Sequence, residues 1–112
     1  MRLKSAIWVA AFLRRGQAEG HFGAVLKKGA EEAGAIYVIV NHLDGTFHFL
    51  AAPPGPAFDD EGERLWVEEI PYPANQEAID TVLARRRKAD PDIWVVEIED
   101  RTGLGGLSLA RM

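Results

Sequence analysis

The stretch Ile36-Tyr37-Val38-Ile39-Val40-Asn41-His42-Leu43-Asp44-Gly45-Thr46-Phe47-His48-Phe49-Leu50 decides how this chain folds. β-Branched and aromatic residues crowd both of its ends, as in strands, because such side chains pack well on a pleated surface. Between them, Asp44-Gly45 is the dipeptide of a two-residue type I′ hairpin, where both central residues need positive φ. A two-residue turn sets Leu43 opposite Thr46, His42 opposite Phe47, Asn41 opposite His48 and Val40 opposite Phe49. Alternation then puts Val38, Val40, His42, Phe47 and Phe49 on one face. Tyr37, Ile39, Asn41, Leu43, Thr46, His48 and Leu50 fall on the other. The first face is the more apolar and is expected to meet the core. The second is amphipathic and holds the polar pair Asn41–His48.

Working outward, Gly23–Lys28 reads as a short strand joined to Ala35–Leu43 by the turn Gly29–Gly34. On the N-terminal side, Ser5 is a candidate cap for a helix in which Trp8, Val9, Phe12 and Leu13 form a core-facing stripe, with Gly20 or Gly16 as its stop. On the C-terminal side a Pro/Gly-rich connection, Ala52-Pro53-Pro54-Gly55-Pro56, merges into Asp59-Asp60-Glu61-Gly62-Glu63. It shows no regular periodicity, and loops of this length are usually functional or mobile. Arg64–Ile70 reads as a strand broken by Pro71 and Pro73. Asn75 can cap a second helix with Ala78, Ile79, Val82, Leu83 and Arg86 as its stripe, ended by Asp90-Pro91. Ile93–Asp100 is the final strand. The order is α-β-β-β-β-α-β, and short turns between consecutive strands imply antiparallel pairs. The expected fold is α+β: a mainly antiparallel sheet of about five strands with both helices packed on one face. Residues 1–103 form the expected domain, and 104–112 a tail that is flexible or docked on a partner.

The chain has 112 residues, 47% hydrophobic and 27% charged, enough for one core. It lacks cysteine, which excludes disulfides, thiol catalysis and Cys-ligated zinc, and fits a reducing compartment. Arg2 and Lys4 precede the apolar run Ala6–Leu13, but Arg14 and Arg15 follow at once without a cleavage pattern, so a signal peptide is not expected. The run is also far short of the roughly 20 residues a membrane helix needs. A cytoplasmic location is the expectation, with no membrane partner. The net charge is −4 but uneven. Arg2, Lys4, Arg14, Arg15, Lys27 and Lys28 face only Glu19 among residues 1–30, while residues 31–70 are strongly acidic. Those thirds can complement each other within one fold or between two copies.

Candidate sites follow from chemistry. Asp59, Asp60 and Glu63, joined by Glu97 or Glu99 from the last strand, could offer oxygen ligands to a hard divalent cation or serve a metal-dependent hydrolase. The plainer reading is a solvated turn, since the EF-hand pattern fails at Ala57. His21, His42 and His48 match no metal-ligand spacing, and the hairpin register separates His42 from His48. No serine-nucleophile motif or phosphate-binding glycine turn is present, so no cofactor is expected. Arg85-Arg86-Arg87-Lys88 has no acidic residue three or four positions earlier, and with Arg14 and Arg15 it could contact phosphates. The negative net charge and missing nucleic-acid motifs speak against that partner. Tyr37, Asn41 and His48 on the amphipathic face are candidate interaction residues, and so is Trp66, which like Trp8 and Trp94 reads first as a core anchor and would mark an interface only at an exposed face or edge.

Three segments together carry a resemblance. They are Arg2-Leu3-Lys4-Ser5 with Trp8 and Leu13-Arg14-Arg15, Asp59-Asp60-Glu61-Gly62-Glu63-Arg64 with Trp66, and Asp90-Pro91-Asp92-Ile93-Trp94-Val95-Val96-Glu97-Ile98-Glu99-Asp100. The chain resembles, up to about Gly103, the small bacterial family catalogued as domain of unknown function 1491. The resemblance implies a bacterial, cytoplasmic protein and no functional residues, because that family has no assigned activity. The expected function is a non-catalytic interaction module with a protein partner, in one form a homodimer burying the amphipathic face or an edge strand. The alternatives are the metal-dependent hydrolase and a weak nucleic-acid binder.

Overall fold

The structure, a computed structural model, describes residues 3–55 and 57–110. The readings that rested on Arg2, Pro56, Arg111 and Met112 lie outside them. The elements are α1 (Ser5–Ala18), β1 (Gly23–Lys27), β2 (Ile36–Asn41), β3 (Phe47–Ala51), β4 (Leu65–Ala74), α2 (Gln76–Ala89), β5 (Trp94–Glu99) and β6 (Ser108–Leu109). The sheet has six strands in the order β1-β5-β2-β3-β4-β6. It is mixed: β2 runs parallel to β5 and β4 to β6, while the other pairs are antiparallel. The α+β class holds, but the five-stranded, mainly antiparallel arrangement does not. Sequence neighbours β1 and β2 do not pair, because β5 lies between them. Loop 29–34 crosses the start of β5 instead of closing a hairpin, with Ala30 N–H donating to Asp92 O at 2.9 Å.

The helices lie on opposite sides of the sheet rather than on one. Trp8, Val9 and Phe12 of α1 pack with Val38, Val40, Leu50, Trp66, Trp94, Val96 and Ile98. Ile79, Val82 and Leu83 of α2 pack with Ile39, Phe47, Phe49, Ile93 and Val95. Alternate residues of β2 and β5 enter different clusters, so each strand is covered on both faces, which removes nearly all of its apolar surface from water.

The hairpin register differs by one residue from the expected one. Val40 lies opposite His48 and Ile39 opposite Phe49. The loop is odd-numbered, not even: His42 N–H donates to Thr46 O at 3.2 Å, and Leu43 as well as Gly45 takes positive φ, 62° and 89°. Asn41 Oδ1 accepts from Leu43 N–H at 2.8 Å, and Asp44 Oδ1 accepts from Thr46 N–H at 2.9 Å, so two short polar side chains hold the three-residue loop. One extra loop residue turns every β3 side chain to the other face. Phe47 and Phe49 therefore meet α2, while His48 and Leu50 point to the α1 side.

Two local expectations also change. β4 continues through Pro71 and Pro73, because β6 pairs only with Leu65 and Trp66 and leaves that part of β4 as an edge, where a missing N–H costs no ladder bond. Ser5 does not cap α1: its Oγ donates to Gly34 O at 2.6 Å, while loop carbonyls Glu32 O and Glu31 O accept from Ser5 N–H and Ala6 N–H at 3.1 and 2.9 Å. Asn75 does cap α2, its Oδ1 accepting from Ala78 N–H at 2.8 Å. The described part of the tail docks on its own domain: Leu107 packs against the α1-side core and Ala110 N–H donates to Trp66 O at 2.7 Å.

Candidate functional site

The slipped register creates a polar array at one end of the α1-side face. His42 is buried, and its Nδ1 lies 2.6 Å from Asp100 O. A carbonyl only accepts, so His42 carries its proton on Nδ1 and offers a bare Nε2. That atom is 2.8 Å from His48 Nδ1, which must therefore be the donor. His48 Nε2 then faces Glu68 Oε1 at 3.5 Å, and the Tyr72 ring stacks on His48 at 4.0 Å. Burial pushes the His48 pKa below its ordinary value; Glu68 opposes this and the His42 ring reinforces it. Neutral His48 thus turns a lone pair toward the carboxylate, and only protonation makes that contact an ion pair. Long-range proton–nitrogen correlation near pH 7 should show both rings protonated at Nδ1. An Nε2-protonated His42 would refute the chain of donors.

The array can carry a proton between its rings, but among the described residues neither ring hydrogen-bonds to a hydroxyl group. Its evident work is to tie β3 and β4 to the end of β5. A two-residue turn would place the two histidines on opposite faces, and local spacing does not reveal Glu68, Tyr72 or Asp100 as their neighbours. Only the parity of the Asp44-Gly45 loop carried that information.

The expected carboxylate site is not assembled. Asp59 Oδ1 accepts from Glu61 N–H and Glu63 N–H, both at 2.9 Å, closing its own turn, and Asp60 is exposed. Glu63 reaches Arg15 of α1 at 3.9 Å, whereas Glu97 sits beside Ile39 on the α2 side, 3.5 Å from Asn41 Nδ2. Glu99 follows two residues on, on that same side. Among the described residues no group of three or more acidic or histidine side chains could hold a metal ion.

The expected interaction face is also divided. Tyr37 lies on the α2 side with its ring 5.7 Å from Phe49, His48 lies on the α1 side, and Trp66 is fully buried. Burial raises the Tyr37 pKa, with the Glu69 carboxylate adding to it. Asn41 is engaged in its own loop. The basic residues do not form one patch either: Arg14 and Arg15 belong to α1 and Arg85, Arg86, Arg87 and Lys88 to α2, across the sheet. Arg86 Nε donates to Glu69 Oε1 at 2.8 Å, a neutralising partner from β4 that helical spacing could not reveal. The basic N-terminal third and acidic middle meet inside the chain, through Lys4–Glu32 at 3.5 Å and Arg15–Glu63.

The free surface that remains prominent is the β1 edge. Phe22, Val25 and Leu26 are 68%, 42% and 56% exposed, and Ile7 on α1 is 52% exposed. A groove of about 470 Å³ runs between α1 and the start of β1, lined by Ala10, Leu13, Arg14, Gln17, His21 and Phe22. Glu99 N–H donates to Phe22 O at 2.8 Å, so by antiparallel alternation Phe22 and Ala24 bond inward. Gly23 and Val25 therefore turn their backbone groups outward.

This is a small mixed-sheet α+β domain of a bacterial type seen in solved structures. A crystal structure of a DUF1491 family protein from Caulobacter crescentus CB15 is 36% identical, with TM-score 0.77 over 97% of this chain and 100% of that one. The solution structure of a protein from A. tumefaciens is 41% identical, with TM-score 0.83 over 100% of this chain and 98% of that one. Residues 3–107 match the family described as protein of unknown function (DUF1491), and the chain belongs to that family. No curated protein matches it. No helix among the described residues is long and apolar enough to cross a membrane.

Proposed function

We propose that the protein is a non-catalytic interaction module of the cytoplasm that pairs with a second copy of itself through the outer edge of β1. The carrying observation is the contrast between the two ends of the sheet. At one end Pro71, Pro73 and the two-residue β6 limit strand addition. At the other, β1 has an edge that is unpaired among the described residues, with Phe22, Val25 and Leu26 exposed beside it. The lysine that would guard it is turned away, since Lys27 Nζ donates to Pro91 O at 2.5 Å and Ile93 O at 3.0 Å.

A two-fold axis beside Val25 would join two sheets antiparallel and set both α1 helices on one side of them. Ile7, Ala10 and Leu13 would then face their counterparts, the small Ala10 permitting close approach. The bulge between Val25 and Lys27 limits ladder pairing to a short stretch, so the neighbouring groove, which mixes Ala10, Leu13 and Phe22 with Arg14, Gln17 and His21, has to supply much of the contact. With both sheet faces covered, the edge is the surviving route to the dimer. The opposite-charge pairs within the chain remove the motive for head-to-tail contact.

Sedimentation velocity over rising protein concentration should show a monomer–dimer equilibrium. Val25→Pro removes an outward N–H while sparing the ladder to β5, and Leu26→Glu places a charge in the apolar contact. Each should give a monomer with an unchanged circular dichroism spectrum. Wild-type protein that stays monomeric at its solubility limit would end the proposal.

A further inference from the structure

The geometry of the histidine pair limits how many protons it can hold. His42 Nε2 and His48 Nδ1 are 2.8 Å apart, a gap with room for one hydrogen. The other nitrogen of the buried His42 ring is committed as well, its Nδ1–H donating to Asp100 O at 2.6 Å. The neutral pair is left with one open basic nitrogen, His48 Nε2, 3.5 Å from Glu68 Oε1 on a side chain that is 16% exposed. A first added proton goes there. It turns the Glu68 contact into an ion pair and leaves the hydrogen between the rings in place. A second has no site, because it would set two N–H groups head to head across the same gap. Turning the His48 ring over does not help, since that offers His42 a C–H in place of Nδ1.

The charged groups around the pair do not lift this limit. Glu68, from β4, is already the acceptor for the first proton. Asp44, in the loop, favours a positive charge on His42 through space, but its Oδ1 is engaged by the N–H and hydroxyl of Thr46. The Asp100 carboxylate, at the end of β5, accepts from Thr102, Gly103 and Gly105 N–H and lies 3.7 Å from His21 Nε2. Tyr72 offers both histidines only its ring. Burial weighs against charge on His48, and charges on the two rings repel each other. We propose that the pair is an acid-operated latch: the folded chain holds one added proton on the two rings, and a second opens the β2–β3 loop away from the end of β5. Opening frees the Tyr72 ring face that His48 now covers. The main-chain bonds at that place are His42 N–H to Thr46 O at 3.2 Å and Asp100 N–H to Asn41 O at 2.9 Å. This latch is independent of the β1 edge.

Nuclear magnetic resonance on the isotope-labelled full chain tests it. Near pH 7 a scalar coupling should join His42 Nε2 to His48 Nδ1 across their shared hydrogen. As the pH is lowered to about 4.5, where most carboxylates stay ionised, the first proton should appear on His48 Nε2 with that coupling kept. The second should abolish it. From there, the exchange protection of the His42 and Asp100 amides, corrected for the intrinsic rate, should fall about tenfold per pH unit, the slope of an opening that binds one proton. His48→Asn supplies an amide that can turn either its N–H or its oxygen to His42 Nε2, so this slope should vanish. Lost packing alone would lower protection equally at every pH. Glu68→Gln should shift the first uptake to lower pH and keep the slope of the second. Flat protection of both amides over this range in wild-type protein overturns the latch even if neither variant folds. So does a coupling that survives protonation of both rings, a wild-type slope in His48→Asn, or a first uptake unmoved by Glu68→Gln.

Discussion

Asp100→Ala should lower the unfolding free energy by about 3–5 kcal/mol, since each hydrogen bond to a charged group contributes about 1.5–3 kcal/mol and neighbouring bonds do not simply add. The carboxylate is buried at the end of β5. Oδ1 accepts from Thr102 N–H at 3.2 Å and Gly103 N–H at 3.0 Å, and Oδ2 accepts from Gly105 N–H at 2.9 Å. His21 Nε2 lies 3.7 Å from Oδ2. These bonds shape the turn from which the tail departs, and the tail carries Leu107 to the core and β6 to β4. Alanine leaves three donors unpaired and frees the tail together, so cleavage by chymotrypsin around Leu104–Leu107 should accelerate along with the fall in urea midpoint.

The same residue fixes the acid behaviour. Burial pushes the Asp100 pKa up, but the backbone N–H groups of Gly105, Thr102 and Gly103, with His21, outweigh it and hold the pKa below its ordinary value. As pH falls, the unfolded chain takes up this proton first. The Asp100 contribution is therefore complete above its unfolded pKa of about 4 and is lost as pH falls through the lower folded value. Asp100→Asn should flatten that acid limb. It should also cost less than alanine, because one oxygen can still accept from Thr102 and Gly103. An acid limb as steep as the wild type's would show that other carboxylates set it.

How much of this was legible beforehand follows from particular residues. Both helices and the strands from β1 to β5 were readable, because periodicity and caps such as Asn75 act locally. The layer arrangement was less so. Ile36-Tyr37-Val38-Ile39-Val40 and Ile93-Trp94-Val95-Val96 are continuous apolar runs, the pattern of strands covered on both faces. Read that way, they would have put one helix on each side of the sheet. The insertion of β5 between β1 and β2 rests on long-range contacts with no local mark in the sequence. The histidine array was hidden by a single loop residue, because Asp44-Gly45 favours a two-residue turn while Asn41 and Asp44 side chains stabilise three. The Arg86–Glu69 pair depends on which strand faces which helix, and no spacing rule reaches that far.

Gly34→Ala is expected to cost about 3 kcal/mol by steric overlap alone, at the upper end of what overpacking usually brings. A Cβ there would sit 2.4 Å from Asp92 O and 3.0 Å from Ala30 N and O, all backbone atoms that cannot rotate away. The loop must then lift off β5, and it is also the cap of α1. Gly34 O accepts from Ser5 Oγ, and Glu32 O and Glu31 O accept from the first two N–H groups of the helix. Gly55→Ala is the matched control: nothing lies within 4 Å of its Cβ position, so its stability should hold or rise slightly. Ser5→Ala alone should cost about 1 kcal/mol for the lost buried hydrogen bond. If the glycine methyl displaces the carbonyl that Ser5 bonds, the double variant should be less destabilised than the sum of the singles. Full additivity in denaturant unfolding would mean that loop 29–34 clasps β5 and the start of α1 independently, and the account of α1 capping by that loop would fail.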